Sequence, residues 1–171
     1  MNVLDARREF FAHLLAAQVQ AGDGGRLEAA FRSTPREKFL GPGPWRAFTA
    51  SGYIAIPAEH PELVYQDITV ALDADRHINN GQPSLHALCL AALTVQPGDR
   101  VLHIGAGTGY YTAILAQLAP QGTVTGLELD PELARRAAEN LAEYPNARLE
   151  GRSGAEGELP QSDVIYVNAG A

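Results

Sequence analysis

The sequence predicts an α/β fold: a parallel sheet with helices on both faces, preceded by an N-terminal helical extension. Three observations carry this expectation. From about residue 100 onward, short apolar runs alternate with helical stretches, the pattern of right-handed βαβ units. A Gly-x-Gly-x-Gly run, Gly105 to Gly109, stands between the first of those strands and its helix. Upstream of residue 40, apolar residues recur at helical rather than strand spacing.

Val3, Leu4, Phe10, Phe11, Leu14, Leu15 and Val19 define an amphipathic opening helix, stopped by Gly22-Asp23-Gly24-Gly25. A second short helix is expected over 26–32. From Gly41 to about Asp75, Gly, Pro and aromatics dominate, and irregular chain with one short strand pair is expected. Pro83 opens a helix that ends before Pro97-Gly98-Asp99. Strands then follow at 101–104, 123–129, 148–150 and 163–167, with helices at 108–118 and 131–144. The expected division is an extension over 1–75 and the α/β domain over 76–171. The final strand is apolar, and such a strand normally lies inside a parallel sheet. A chain that stops just after it leaves an open edge, so a longer protein with further C-terminal strands is expected.

Composition narrows the function classes. The chain has 171 residues, 46% of them hydrophobic and 19% charged, which suits one domain with a real core. A net charge of −7 gives no general attraction to nucleic acid. The single cysteine, Cys89, cannot form an intramolecular disulfide and suits a reducing compartment. Charges interrupt the apolar positions of the N-terminus, so it reads as neither a signal peptide nor a membrane span, and the cytoplasm is the expected location.

The glycine run limits the ligand. A dinucleotide fingerprint wants a third glycine where Tyr110 stands. A phosphate loop wants Gly-Lys-Ser/Thr, and the chain's one lysine is Lys38. Gly105-Ala106-Gly107-Thr108-Gly109 suits a cofactor whose amino-acid tail lies against the loop, its carboxylate held by free N–H groups and the helix N-terminus. Glu128, at the end of the next strand, stands where an acid can accept both hydroxyls of a ribose.

On these residues the sequence resembles the class I S-adenosylmethionine-dependent methyltransferases, and among them the protein-L-isoaspartate O-methyltransferase family. LEAAFRSTPREKFLGP resembles a family segment through Ala30, Phe31, Pro35, Arg36 and Phe39, and Tyr65 and Asp67 resemble its Tyr-x-Asp. NNGQPSLHALCLAALTVQPGDRVLHIGAGTGYYTAILA resembles its Thr-Ile-Ser-Gln-Pro loop, the helix after it and the glycine motif. SDVIYVNAGA resembles the fourth strand and its small-residue turn. The resemblance implies a Rossmann-like class I methyltransferase fold, here over 76–171 and incomplete at the C-terminus. It also implies S-adenosyl-L-methionine as cofactor and a protein or peptide carrying an isoaspartyl carboxylate as partner, with neither nucleic acid nor membrane. By the same resemblance, Gly105, Ala106, Gly107, Thr108, Gly109, Glu128, His103 and His86 face the cofactor. Asn80, Gly81 and Gln82 form the substrate loop.

Three positions depart from the family pattern. Gly81 stands in place of a serine, and Asn79 and Asn80 before it either donate to a carboxylate or simply make a turn. His103 replaces the acid before the glycines; it either accepts a hydrogen bond from the cofactor's ammonium or is a satisfied strand-end histidine. Arg152 replaces an acid near the adenine. At least one of Tyr110 and Tyr111 is expected to pack. His86 and Cys89 lie three apart on one helix but lack the further ligands a metal needs; Cys89 is expected to be a small buried apolar group. A methyltransferase for another acceptor and a non-catalytic binding module remain the alternative readings.

Overall fold

The computed structural model describes residues 2–19 and 24–168. The Gly22-Asp23 part of the expected helix stop and the Ala169-Gly170-Ala171 turn lie outside the described residues. The chain packs as two compact units, residues 1–92 and 93–171.

The first unit opens with α1 (Val3–Gln18), whose N-terminus is capped by Asn2, its Oδ1 accepting the Asp5 N–H at 2.8 Å. Helix α1 buries Phe11, Ala12, Leu15 and Ala16, and α2 (Gly24–Ser33) buries Leu27, Ala30 and Phe31. Phe11 meets Phe31 and Tyr65 edge to face, at 6.3 and 5.6 Å between centroids. A third helix that the sequence pattern does not announce, α3 (Arg36–Leu40), follows Pro35. It delivers the Arg36 guanidinium, fully buried, to three carbonyls: Val64 at 2.6 Å, Gln66 at 2.8 Å and Ile68 at 2.7 Å. A planar five-donor fork suits such a set of main-chain acceptors.

The expected strand pair is β1 (Trp45–Thr49) with β2 (Gly52–Ile56), antiparallel, with Trp45 opposite Ile56. A second small pair is added by β3 (Ala71–Asp73) and β4 (Ile78–Asn79). The unit closes with α4 (Pro83–Ala92).

The second unit is a four-stranded parallel sheet in the order β7-β6-β5-β8. The strands are β5 (Arg100–Ile104), β6 (Thr123–Leu127), β7 (Ala147–Glu150) and β8 (Val164–Val167). Helix α5 (Tyr110–Leu118) connects β5 to β6, and α6 (Pro131–Asn140) connects β6 to β7. Both crossovers advance in the same direction, so right-handedness puts both helices on one face. On the opposite face, Ile104 meets the segment returning to β8, where a Cβ on Gly154 would lie 2.5 Å from the Ile104 side chain.

Element ends differ from the expected ones for local reasons. Helix α5 begins at Tyr110 because Gly109 takes φ +90° and serves as its cap. Helix α6 starts where expected, with Asp130 Oδ1 accepting the Glu132 and Leu133 N–H groups and Pro131 in the first turn. It yields to a 3₁₀ turn over Leu141–Glu143. Among the described residues, no helix is long and apolar enough to cross a membrane.

Candidate functional site

The candidate residues fall into two sets, each inside one unit. In the second unit, Gly105, Gly107 and Gly109 take φ of +83°, +56° and +90°, a backbone path that side-chain-bearing residues rarely follow. Gly105 and Ala106 donate their N–H groups to Leu127 O at 2.9 and 3.0 Å, which fastens the loop to the end of β6. Glu128, 9% exposed, faces the same loop: its Oε2 accepts the Gly107 N–H at 2.7 Å and its Oε1 accepts the Asp130 N–H at 2.9 Å. Each oxygen keeps a second lone pair, since a carboxylate offers about four acceptor positions.

Two further residues shape this loop. Asn140 Nδ2 donates to Thr108 O at 2.9 Å, a tie between residues far apart in sequence that no local pattern signals. Gly126 lies mid-strand, where a Cβ would come 2.9 Å from Leu149 and 3.2 Å from Ala106. An isolated glycine inside a strand marks such a close approach, and that signal was available. Thr108 and Ala106 are buried, as are Tyr110 and Tyr111, whose rings meet edge to face at 5.0 Å.

In the first unit, the loop over 79–82 is held from several sides. Asn79 Oδ1 accepts the Gly81 N–H at 2.9 Å. Asn80 pairs with Val70 twice: its N–H donates to Val70 O at 3.0 Å and its Oδ1 accepts the Val70 N–H at 2.9 Å. Both asparagines therefore build the turn. Gln82 Nε2 donates to Asp67 Oδ2 at 3.0 Å, while Asp67 Oδ1 accepts the Ser84 N–H at 2.8 Å and caps α4. Burial pushes the Asp67 carboxyl upward, but hydrogen bonds from Gln82 and Ser84 and the Arg36 charge outweigh it and hold it below the usual range. His86 is buried, and that burial, with the Arg36 charge, pushes its imidazole down to about 4. Cys89 is half-buried rather than buried, because it stands on α4 beside the exposed Leu85 and Leu88. Among the described residues, no three His, Cys, Asp or Glu side chains gather as a metal would require.

The model of the family described as protein-L-isoaspartate(D-aspartate) O-methyltransferase matches residues 12–171. The chain belongs to that family. A Rhodopseudomonas palustris protein-L-isoaspartate O-methyltransferase is 38% identical over 150 residues, covering 85% of this chain and 59% of the relative. A solved protein-L-isoaspartate O-methyltransferase superposes with a TM-score of 0.75 at 27% identity, covering 95% of this chain and 48% of the other. A Plasmodium falciparum chain solved with S-adenosyl-L-homocysteine shares the fold, with a TM-score of 0.71 at 20% identity over 96% of this chain and 74% of its own. The matched part spans 44%, 59% and 56% of three curated relatives, about half their length.

Against the protein-L-isoaspartate O-methyltransferase pattern, the three departures have definite surroundings. His103 is fully buried, with Nδ1 2.8 Å from Thr112 Oγ1 and its ring stacked on Tyr166 at 5.1 Å. Arg152 turns back on its own loop, donating to Glu150 Oε2 at 2.9 Å and to the carbonyls of Ser153, Glu156 and Glu158 at 3.4, 3.1 and 3.2 Å. Gly81 takes φ +71°, and the space beside its Cα is filled by His86.

Proposed function

We propose that the protein is an S-adenosylmethionine-dependent O-methyltransferase that esterifies the free carboxylate of isoaspartyl residues in damaged proteins, the step that initiates their repair. The observation that carries this reading is the tie between a bare-backbone loop and a buried acid, Gly105 to Gly109 with Glu128, in a chain of this family. S-adenosylmethionine, when bound, supplies a methyl group already activated on a sulfonium, and a carboxylate is ionised at neutral pH. No strong general base is then required, and the protein contributes alignment and exclusion of water.

The residues present suit that cofactor. Glu128 has lone pairs for two ribose hydroxyls beyond those its main-chain bonds use. The loop's glycines let a cofactor approach the backbone closely, and the N-terminus of α5 favours a carboxylate tail. Ala106, Thr108 and His103 complete the cofactor side within the second unit. Asn80, Gly81 and Gln82 form the loop that receives the methyl acceptor, a protein or peptide, and the cytoplasm is the compartment that goes with this substrate.

The test is a calorimetric titration of the full-length protein with S-adenosylhomocysteine, NAD serving as control, followed by methylation of an isoaspartyl peptide and its aspartyl counterpart. Saturable binding that Glu128→Ala weakens on the order of 100-fold, with methylation of the isoaspartyl peptide alone, is the expected result. Binding without methylation points instead to a non-catalytic module or another acceptor. A folded protein that does not bind S-adenosylhomocysteine sinks the reading.

A further inference from the structure

An ideal Cβ built on Gly81 would lie 1.9 Å from Nε2 of His86, 2.8 Å from its Cδ2 and 3.1 Å from its Cε1. The edge of an imidazole ring thus occupies the volume that any side chain at position 81 would need. Neither partner can withdraw easily. The loop is pinned through Asn79, through the double pairing of Asn80 with Val70, and through the Asp67 bonds to Gln82 and Ser84. His86 stands on α4, its own N–H donating to Gln82 O at 3.2 Å, so ring and loop share one rigid frame.

We infer that Gly81 and His86 act as a reciprocal pair, in which the imidazole takes the side-chain place of residue 81 and supplies the polar group that positions the methyl acceptor at the 79–82 loop. The acceptor role rests on the function proposed above. Two observations favour a ligand rather than filler. Asn80, 7% exposed, uses Oδ1 on Val70, while its buried Nδ2 has no hydrogen-bond partner among the described residues. A buried donor left this way is destabilising unless an acceptor oxygen satisfies it, and a carboxylate is such an acceptor. The other is the state of His86: a neutral imidazole donates one hydrogen bond and accepts one, as a hydroxyl does, and brings no charge to compete with the loop's carboxylate partner Asp67.

The test compares the full-length protein with Gly81→Ser, His86→Ala and the double variant, reading thermal unfolding, S-adenosylhomocysteine affinity, and KM and kcat on an isoaspartyl peptide. The positive φ at position 81 penalises serine in either background, so it cancels in the cycle and leaves the clash. Gly81→Ser is expected to lower Tm by about 5 °C or more with His86 present and by clearly less in the His86→Ala background. His86→Ala is expected to raise KM for the peptide about tenfold with cofactor affinity unchanged, and the double variant to return it to within about threefold of the parent. If Gly81→Ser fails to fold, recovery of a folded protein in the double variant is the expected result.

Equal Tm losses in both backgrounds overturn the pair. An unchanged KM in His86→Ala overturns the acceptor role. If the parent protein binds S-adenosylhomocysteine but leaves the isoaspartyl peptide unmethylated, the proposed substrate falls and the acceptor role with it; the unfolding cycle still decides the pair.

Discussion

Glu128 and Gly107 are joined across the carboxyl end of the sheet by a 2.7 Å hydrogen bond from the glycine N–H to the carboxylate. The acid therefore shapes the loop as well as facing the ribose side of the proposed site. Glu128→Ala removes the acceptor of two main-chain N–H groups, those of Gly107 and Asp130. Bonds to a charged group contribute about 1.5–3 kcal/mol each, so the variant is expected to lose on the order of 100-fold in S-adenosylhomocysteine affinity and to melt several degrees lower. Calorimetry and thermal unfolding on the same preparation check both.

Gly109→Ala adds a methyl group where φ is +90° and where a Cβ would lie 3.2 Å from Leu141. The left-handed backbone alone costs about 1–2 kcal/mol for an L-residue, and the contact adds to it. The expected outcome is a stability loss of about 2 kcal/mol in urea titration with an unchanged m-value, because the folded state is strained without a change in exposed surface.

Arg36→Lys keeps the charge and loses the fork. An ammonium cannot reproduce three bonds that diverge to the carbonyls of Val64, Gln66 and Ile68, and those buried acceptors lose their donor. A destabilisation on the order of 3 kcal/mol is expected, and Arg36→Met, which leaves no buried charge, separates the lost bonds from the charge itself. Proteolysis mapped onto residues 1–92 reports whether the loss is confined to the first unit.

Acidification acts through His86. Its folded value, about 4, lies below the ordinary value of 6.5, so between those two pH values the unfolded chain binds more protons. Stability from this group is fully present above pH 6.5 and is lost as the pH falls toward 4, by on the order of 3 kcal/mol. Tm measured from about pH 7 to pH 4 is expected to fall less steeply in His86→Ala than in the parent. Equal slopes exclude His86 as the titrating group.

The second unit is the more legible half of the sequence. Val101 to Ile104, Thr123 to Leu127 and Val164 to Val167 are short apolar runs between Gly- and Pro-marked turns, and they form strands where periodicity and punctuation agree. The glycine motif and Glu128 were legible too, because their spacing follows from strand–loop–helix geometry. What could not be read was the first unit's framework. Five residues of α3 carry too little periodicity to announce a helix, and the burial of Arg36 depends on carbonyls about thirty residues away. The fit of His86 against Gly81 was hidden for a related reason: the motif fixes the residues, whereas the contact depends on how the loop is pinned by Asp67 and Val70.

Arg152 grips its loop mainly by oxygen atoms that every residue type carries, the main-chain carbonyls of Ser153, Glu156 and Glu158. At those three positions the grip is therefore indifferent to which side chain is borne, whereas Gly154, packed against Ile104, and Gly157, at φ +73°, are not free to change. Ser153, Glu156 and Glu158 can drift in charge as well as size while Arg152 keeps hold of the path from β7 back to β8. One arginine makes this segment a surface on which new contacts can be tried without refolding the sheet beneath it.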